Sequence, residues 1–283
     1  MNGAVILDKP KGWTSHDAVN RIRRLAGTRK VGHLGTLDPM ATGVLPLLLN
    51  RATRLAQFFT RDEKTYAATV RFGFATDTYD AEGRAVSTAC EPQFSRKDLE
   101  EWLARFRGTF AQTPPAISAK KIGGTPAYKL ARRDVAVDLP PVDVTITRLE
   151  IQRFELPEVD LTVECSAGTY VRSLAHDLGT LAGCGAHLSA LRRTRSGEFA
   201  LAQARTIEQL EADFWSAVVP AEALLADLPA VHVDAITAAQ IRHGRAFRAD
   251  LASEVVKAIS PGGDLLAMGR RAAPGRYHPE VVL

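Results

Sequence analysis

The sequence predicts an α+β fold with a small β-rich unit at its C-terminal end, and three observations carry that prediction. Segments that alternate apolar and polar residues, such as Tyr66–Phe74, sit among segments with helical apolar spacing, such as Ala18–Ala26. After Leu228-Pro229 the pattern restarts on a smaller scale, and residues 229–283 hold mostly short strand candidates. The 283 residues, 46% hydrophobic and 24% charged, have the make-up of a soluble globular protein and room for one large domain plus a small one.

The elements follow in order. Ala4-Val-Ile-Leu7 is a short strand-like run. Thr14-Ser-His-Asp17 has the form of a capping box, with Ala18, Val19, Ile22, Leu25 and Ala26 behind it at helical spacing and Gly27 as the stop. Gly43–Leu49 is apolar and strand-compatible. In the next strand Tyr66, Ala68, Val70, Phe72 and Phe74 share one face. Ser95–Arg107 is an amphipathic helix with Leu99, Trp102, Leu103 and Phe106 as its stripe. Gly108–Pro141 differs: Thr113-Pro-Pro115, Gly123-Gly124 and Pro126 punctuate it, with a short helical candidate at Ala127–Arg133, and it reads as an extended insertion. Leu161–Cys165 alternates again. Gly168-Thr-Tyr-Val-Arg172 leads into a helix carrying Val171, Leu174, Ala175 and Leu178. A strand at Leu188–Arg195 precedes helices near Thr206–Ala212 and Pro220–Leu225. The C-terminal unit reads as a strand Val231–Asp234, a helix Thr237–Arg242, and strands Glu254–Ile259, Leu265–Arg270 and Val281–Leu283.

The net charge of +4 is modest, but its distribution is not even. Residues 1–59 hold nine Lys/Arg against three acids, residues 102–133 hold seven and no acid, and Arg192, Arg193 and Arg195 cluster. Three basic segments in an otherwise balanced chain suggest a polyanion footprint. Cys90, Cys165 and Cys184 are odd in number and widely spaced, which fits a reducing cytoplasm and neither a disulfide framework nor a thiolate zinc site. No stretch approaches the roughly 20 apolar residues of a membrane span, and the start of the chain lacks the pattern of a secretory leader.

Residues 32–43, Gly-His-Leu-Gly-Thr-Leu-Asp-Pro-Met-Ala-Thr-Gly, place one carboxylate, Asp38, in a segment with three glycines and a proline. Such a segment suits neither a helix nor a central strand, and its backbone must be held in a fixed irregular shape. It is a simple Asp-Pro bend or a loop built for chemistry. Other motifs fall away. Gly27-Thr-Arg-Lys-Val-Gly32 is followed by His33-Leu34, where a phosphate-binding loop needs Lys and Ser/Thr. Gly-x-Ser-x-Gly is absent, the seven histidines are scattered, and the two flanking carboxylates of a glycosidase are not found. A lone carboxylate can still serve as a nucleophile if its neighbours orient it.

Several blocks, in order and spanning nearly the whole chain, resemble the TruB-type tRNA pseudouridine-55 synthases. They are Leu7-Asp-Lys-Pro-Lys-Gly-Trp-Thr-Ser15, Val31 through Gly43, Lys64-Thr-Tyr66, Gly73-Phe-Ala-Thr-Asp-Thr-Tyr-Asp80, Gly168-Thr-Tyr-Val-Arg172 and Gly183 through Arg193. The resemblance implies a catalytic domain over residues 1–228 with a mixed, mostly antiparallel sheet. It further implies a thumb-like RNA-binding insertion at about 109–141 and a PUA-like RNA-binding domain over 229–283. The implied activity is isomerisation of a uridine in the tRNA T loop by base flipping, without metal or organic cofactor. Asp38 would be the catalytic carboxylate, its point of attack left open among C1′, C6 and the 2′ proton. Arg172 would pair with it, and a guanidinium beside a carboxylate fixes its direction. Tyr66 would stack on the flipped base, which an aromatic face stabilises, or accept the C5 proton. On its strand alone Tyr66 reads equally as a core aromatic. His33 would help hold the flipped-out loop, and Lys9, Tyr170 and Leu191 match pocket positions. Lys120 and Lys121 fall in the thumb-like Ser118–Lys129. The implied partner is the tRNA T stem-loop, with no membrane, guide RNA or obligate protein partner, and the implied enzyme is a cytoplasmic monomer. Leu34 departs from the family pattern, which often has a small hydroxylated residue there. An RNA-folding protein and the catalytic subunit of a guide-RNA particle remain as alternatives.

Overall fold

The apolar runs near the start of the chain become neighbouring strands buried on both faces, and the rest of the fold is arranged around them. In the computed structural model residues 1–115, 121–122, 125–126 and 139–283 are described. Strand β1 (Gly3–Lys9) pairs antiparallel with β3 (Thr42–Leu49), and β2 (Val31–His33) pairs with the far end of β3. Val5, Leu7, Leu45 and Leu47 face one apolar cluster, which includes Ala18, Val19 and Ile22 of helix α1 (Ser15–Ala26). Ala4, Ile6, Val44 and Leu48 face a second cluster, with Ile259, Met268 and Val281 from the C-terminal unit. Burial on both faces is why these strands read as continuous apolar runs rather than alternating ones. Helix α1 begins with the foreseen capping box, Thr14 Oγ1 accepting from the Asp17 N–H and Asp17 Oδ2 accepting from the Thr14 N–H. It ends at Gly27 with φ 60°. A 3-10 helix (Asn50–Phe59) follows β3.

Strand β4 (Lys64–Phe72) alternates as expected. Beyond helix α2 (Arg96–Ala104) come β5 (Gly108–Gln112) and a separate two-stranded pair, β6 (Lys121–Ile122) and β7 (Thr125–Pro126). Strands β8 (Val142–Glu155) and β9 (Glu158–Cys165) lead to helix α3 (Val171–Leu181) and β10 (Ala186–Ser196). Then come β11 (Phe199–Ala200), helix α4 (Ile207–Ala212) and β12 (Val219–Pro220). The main sheet runs β12-β1-β3-β10-β4-β9-β8-β5, with β2 on β3 and β11 on β10. All of its pairings are antiparallel except β3 with β10, which is parallel. The C-terminal sheet is formed by β13 (Ala230–His232), β14 (Phe247–Arg248), β15 (Val255–Ile259), β16 (Leu265–Ala273) and β17 (Arg276–Val282), in the order β13-β15-β16-β17-β14. Helix α5 (Ala235–Arg242) packs against it. Among the described residues no helix is long and apolar enough to cross a membrane.

Three expectations are corrected. Residues 108–112 belong to the main sheet, paired with Val142–Ile146, and are not part of an extended insertion. The period of the partner strand β8 is hidden in the sequence because bulges between Ile146 and Arg148 and between Ile151 and Arg153 shift the alternation. Val144 and Ile146 are buried, and then Leu149 and Ile151, one register apart. Pro220–Leu225 is not a helix. Val219 and Pro220 pair with Ala4 and Gly3 at the sheet edge, where a missing N–H costs nothing, and only a turn of 3-10 helix follows at Ala221–Ala223. Asp234 does not end a strand; it caps α5 by accepting from the Thr237 N–H. Lys120 and the helical candidate Ala127–Arg133 lie outside the described residues, and Lys121 enters only through its backbone pairing in β6.

Candidate active site

The Gly-rich loop between β2 and β3 is held at several points along its length. The Leu34 N–H donates to Pro46 O at 2.9 Å, and the Ala41 N–H closes a turn on Asp38 O at 3.0 Å. Ser15 Oγ, buried at the start of α1, donates to Leu37 O at 3.1 Å and accepts from the Leu37 N–H at 2.8 Å. Leu37, Met40 and Ala41 are sunk in the core, so the side chains around Asp38 anchor the loop while Asp38 stays about one-third exposed. Lys9 lies beneath the loop, 0% exposed, its Nζ donating to the carbonyls of Pro10 at 3.0 Å, Trp13 at 2.6 Å and Pro39 at 3.4 Å. Burial pulls its pKa down to about 8, against the nearby charge of Asp38. Gly43 closes the loop at φ 98°, where a Cβ would stand 2.2 Å from Arg193 O. Only glycine permits that approach of β3 to β10.

Arg172, the second residue of α3, grips Asp38 with two nitrogens, Nε 2.9 Å from Oδ2 and Nη2 3.3 Å from Oδ1. The guanidinium is itself held from behind. Nη1 donates to Thr78 O at 3.0 Å and lies 3.6 Å from Asp80 Oδ2. Asp80 is nearly as buried as Arg172 and accepts from Thr78 Oγ1 at 2.6 Å and from the Glu82 N–H at 3.0 Å. Between them Tyr79, at φ 64°, stacks on His176 of α3 with centroids 3.9 Å apart, tying the turn to the helix that carries Arg172. The start of α3 is fixed from another side, because Gln112 Nε2 donates to Tyr170 O at 3.0 Å and Gln112 Oε1 accepts from the Tyr170 N–H at 2.8 Å.

A cavity of about 540 Å³ opens at this ion pair, lined among others by His33, Asp38, Tyr66, Tyr170, Arg172 and Leu191. That volume is within the range of small-molecule sites, roughly 300–1,000 Å³. Asp38 is the only carboxylate among its described lining residues, whereas Lys64, Arg172 and Arg193 bring positive charge. Such a mouth favours a phosphate-bearing ligand. Tyr66 on β4 lies opposite Arg193 on β10. Burial pushes the Tyr66 phenol up, so the ring presents a neutral aromatic face. Burial also lowers the His33 imidazole, which is neutral at pH 7. Arg193 is 1% exposed, its Nε donating to Val44 O at 2.7 Å and Nη2 to Gly35 O at 3.2 Å.

The chain that builds this loop and cavity matches two family models. Residues 23–171 fit the family model of the TruB family pseudouridylate synthase N-terminal domain, and residues 172–228 that of the tRNA pseudouridylate synthase B C-terminal domain. The chain belongs to the TruB family of pseudouridylate synthases. It is 54% identical over 293 residues to the tRNA pseudouridine synthase B of Solibacter usitatus (strain Ellin6076), covering 100% of both chains. It is 44% identical over 298 residues to that of Arthrobacter sp. (strain FB24), covering 100% of this chain and 96% of the relative. Among solved structures it is similar to a chain in a Cbf5-Nop10-Gar1 complex, with TM-score 0.72 and 27% identity over 96% of this chain and 79% of that one. A chain in an H/ACA RNP bound to a substrate RNA containing 2′-deoxyuridine gives TM-score 0.73 and 25% identity over 99% and 84%.

In this TruB-family chain the structure brings together six of the residues singled out in sequence: His33, Asp38, Tyr66, Tyr170, Arg172 and Leu191. Lys9 is not at the cavity wall but under the loop, bound to the carbonyl that follows Asp38. Leu34, the departure from the family pattern, is buried in the apolar cluster that β1 and β3 share with the C-terminal unit. The basic cluster at Arg192, Arg193 and Arg195 is not a single surface patch. Arg192 is tied to both oxygens of Asp8 at 3.0 and 2.7 Å, and Arg193 is buried under the cavity. Sequence reasoning passed over Asp80, Gln112 and Arg193 as site residues. The period of β10 could have found Arg193, since Leu191 and Arg193 must share a face. Nothing local in the sequence marks Gln112.

Proposed function

We propose that this TruB-family enzyme isomerises uridine 55 in the T loop of tRNA to pseudouridine, acting without a guide RNA. The observation that carries the reading is the Asp38 carboxylate, gripped by Arg172 at the mouth of a cavity floored by Tyr66 and Leu191. The 54% identity to a tRNA pseudouridine synthase B over the whole length of both chains supports tRNA as substrate. Isomerisation breaks the N1–C1′ bond and forms C5–C1′; the C5 proton leaves to solvent and N1 takes one up in its place, so no atom is gained or lost overall. In this reading the target uridine leaves its stack and lies on the Tyr66 ring. Arg172 holds Asp38 on the reacting nucleotide, while Lys9 and Ser15 keep the loop from shifting as it acts. His33 supports the flipped-out T loop, Tyr170 and Leu191 shape the pocket, and Lys120 and Lys121 grip the stem from the thumb-like insertion. Residues 1–228 carry the catalysis and residues 229–283 a PUA-like RNA-binding unit of a cytoplasmic monomer.

Purified protein is incubated alone with tRNA carrying tritium at uridine C5, and the modified position is then mapped. Tritium release from wild type, pseudouridine at position 55 and no release by Asp38→Asn are expected. Pseudouridine at another position refutes the site assignment, and no release without added protein or RNA refutes the stand-alone reading in favour of a guide-RNA subunit.

A further inference from the structure

A second cavity lies at the other end of β2 from the active site. It is a cleft of about 640 Å³ whose walls include Lys30, Arg51, Arg54 and Arg242, and no carboxylate side chain lines it. Glu222 and Asp264 border its outward continuation. The cleft and the active-site cavity share two walls. Strand β2 and the 3-10 helix run side by side, and a Cβ on Gly32 would meet Thr53 Cγ2 at 3.8 Å. At the His33 end of this pair Ala56, Phe59 and Thr60 face the active-site cavity; at the Lys30 end Arg51 and Arg54 face the cleft. The three residues of β2 span roughly 10 Å at about 3.3 Å per residue.

The four cations are distinguished by lining one cleft together with no acidic side chain among its walls. Elsewhere on the surface Arg148, Arg153, Arg192 and Arg270 each pair with a carboxylate. None of Lys30, Arg51, Arg54 or Arg242 enters an ion pair among the described residues. Like charges gathered around a cleft whose own side-chain lining holds no acid repel one another and focus an attractive field for anions, with Glu222 and Asp264 set at its outer margin. The cleft's walls are nonetheless fixed. Arg54 Nη1 donates to Val282 O at 2.7 Å, which ties the 3-10 helix to the C-terminal sheet. Asn50, at φ 55°, donates through Nδ2 to Met1 O and accepts from Thr28 Oγ1, and the Arg51 N–H donates to Asn2 Oδ1.

The sheet order places the cleft relative to everything else that meets RNA. β5 and β8, which flank the insertion, lie beyond β9 on one side of β4 and β10; β3 with β2 lies on the other. The active-site cavity sits between these flanks.

We propose that the cleft of Lys30, Arg51, Arg54 and Arg242 is a second phosphate site for the substrate RNA, engaging backbone of the tRNA outside its T stem-loop. This rests on the reading of the chain as a tRNA enzyme. The insertion side holds the T stem-loop, and the cleft takes the body of the tRNA as it leaves the active site on the opposite flank. Binding there is electrostatic and independent of sequence.

The test compares full-length tRNA with its excised T stem-loop, using wild type and the double variant Arg51→Glu/Arg242→Glu. Neither side chain takes part in the active site. The double variant is expected to bind full-length tRNA about 10-fold or more weakly, with a salt dependence of log K shallower by about two phosphate contacts. Its binding to the T stem-loop should change less than 2-fold and its kcat at saturating tRNA should stay at the wild-type value. Unchanged affinity and salt slope for full-length tRNA would overturn the proposal, as would an equal loss on the stem-loop. Wild-type binding to tRNA with no pseudouridine formed would instead count against the functional reading, because the cleft is scored on affinity alone.

Discussion

Replacing Arg172 by Met keeps the buried aliphatic stem and removes every donor of the guanidinium. Its two carboxylate partners respond differently. Asp38 has a side chain 34% exposed and can take up water when released, so its share of the stability loss is small. Asp80 is 6% exposed and cannot, and removing the partner of a buried charge costs about 3–5 kcal/mol. The Thr78 hydroxyl and the Glu82 N–H still satisfy Asp80, which puts the expected loss near 3 kcal/mol, at the lower end of that range. Adding Asp80→Asn removes the stranded charge, so the double variant should recover about 1–2 kcal/mol in urea unfolding. Catalysis should not recover with it. Once Asp38 is no longer aimed, both variants should release tritium from uridine C5 at least about 100-fold more slowly, the scale set by an ångström of misplacement. If the double variant unfolds as easily as Arg172→Met alone, Asp80 is not what the guanidinium balances. If Arg172→Met keeps a tenth of wild-type activity, the orienting role of Arg172 is refuted.

Three further outcomes follow from the same geometry. Lys9 titrates near pH 8 when folded and near 10.5 when unfolded, so between these values the unfolded chain holds the extra proton and stability climbs with pH; Lys9→Met should flatten that climb in urea midpoints taken from pH 7.5 to 10.5, and an unchanged slope would clear Lys9 of it. Gly43→Ala sets a methyl 2.2 Å from Arg193 O at an unfavourable φ and should cost at least about 1–3 kcal/mol, read as a lower melting temperature. Gln112→Leu strands the half-buried backbone of Tyr170 and loosens the start of α3, so initial-rate measurements should show kcat falling more than KM rises; an effect on KM alone would place Gln112 in RNA binding instead.

The strands and helices legible in the sequence were those whose period runs unbroken. β4 alternates from end to end because one face packs on α3 and the other is partly wet, and α1 carries both of its caps in its own sequence. β8 was illegible although it is long, because each bulge resets the phase of its alternation, and a bulge is fixed by its partner strand rather than by local residues. Pro220 failed for a related reason. Residues 220–225 have helical composition, but the open edge of β1 claims Val219 and Pro220 first, a contact more than two hundred residues away in sequence.

For the site, the sequence could point to what glycine, proline and a lone carboxylate demand locally, and to nothing that depends on which face of a distant strand is covered. Arg192, Arg193 and Arg195 make the point within four positions. All three read as one basic patch. Strand alternation turns Arg192 toward Asp8, where it forms an ion pair, and Arg193 into the protein beside Tyr66, where its Nη2 and Nε brace Gly35 and Val44. Arg195 is exposed with no acidic partner among the described residues, its Nε donating to Gly197 O. A charge count sums these residues, but the fold separates them, because burial of an arginine is decided by whether carbonyls wait on the inward face. Here they wait because Gly43 lets β3 run against the Arg193 backbone, and because the loop from Leu34 to Ala41 has no regular pairing of its own to spend its carbonyls on. The irregularity that marked the Asp38 loop as a place for chemistry is therefore also what requires a buried cation beneath it.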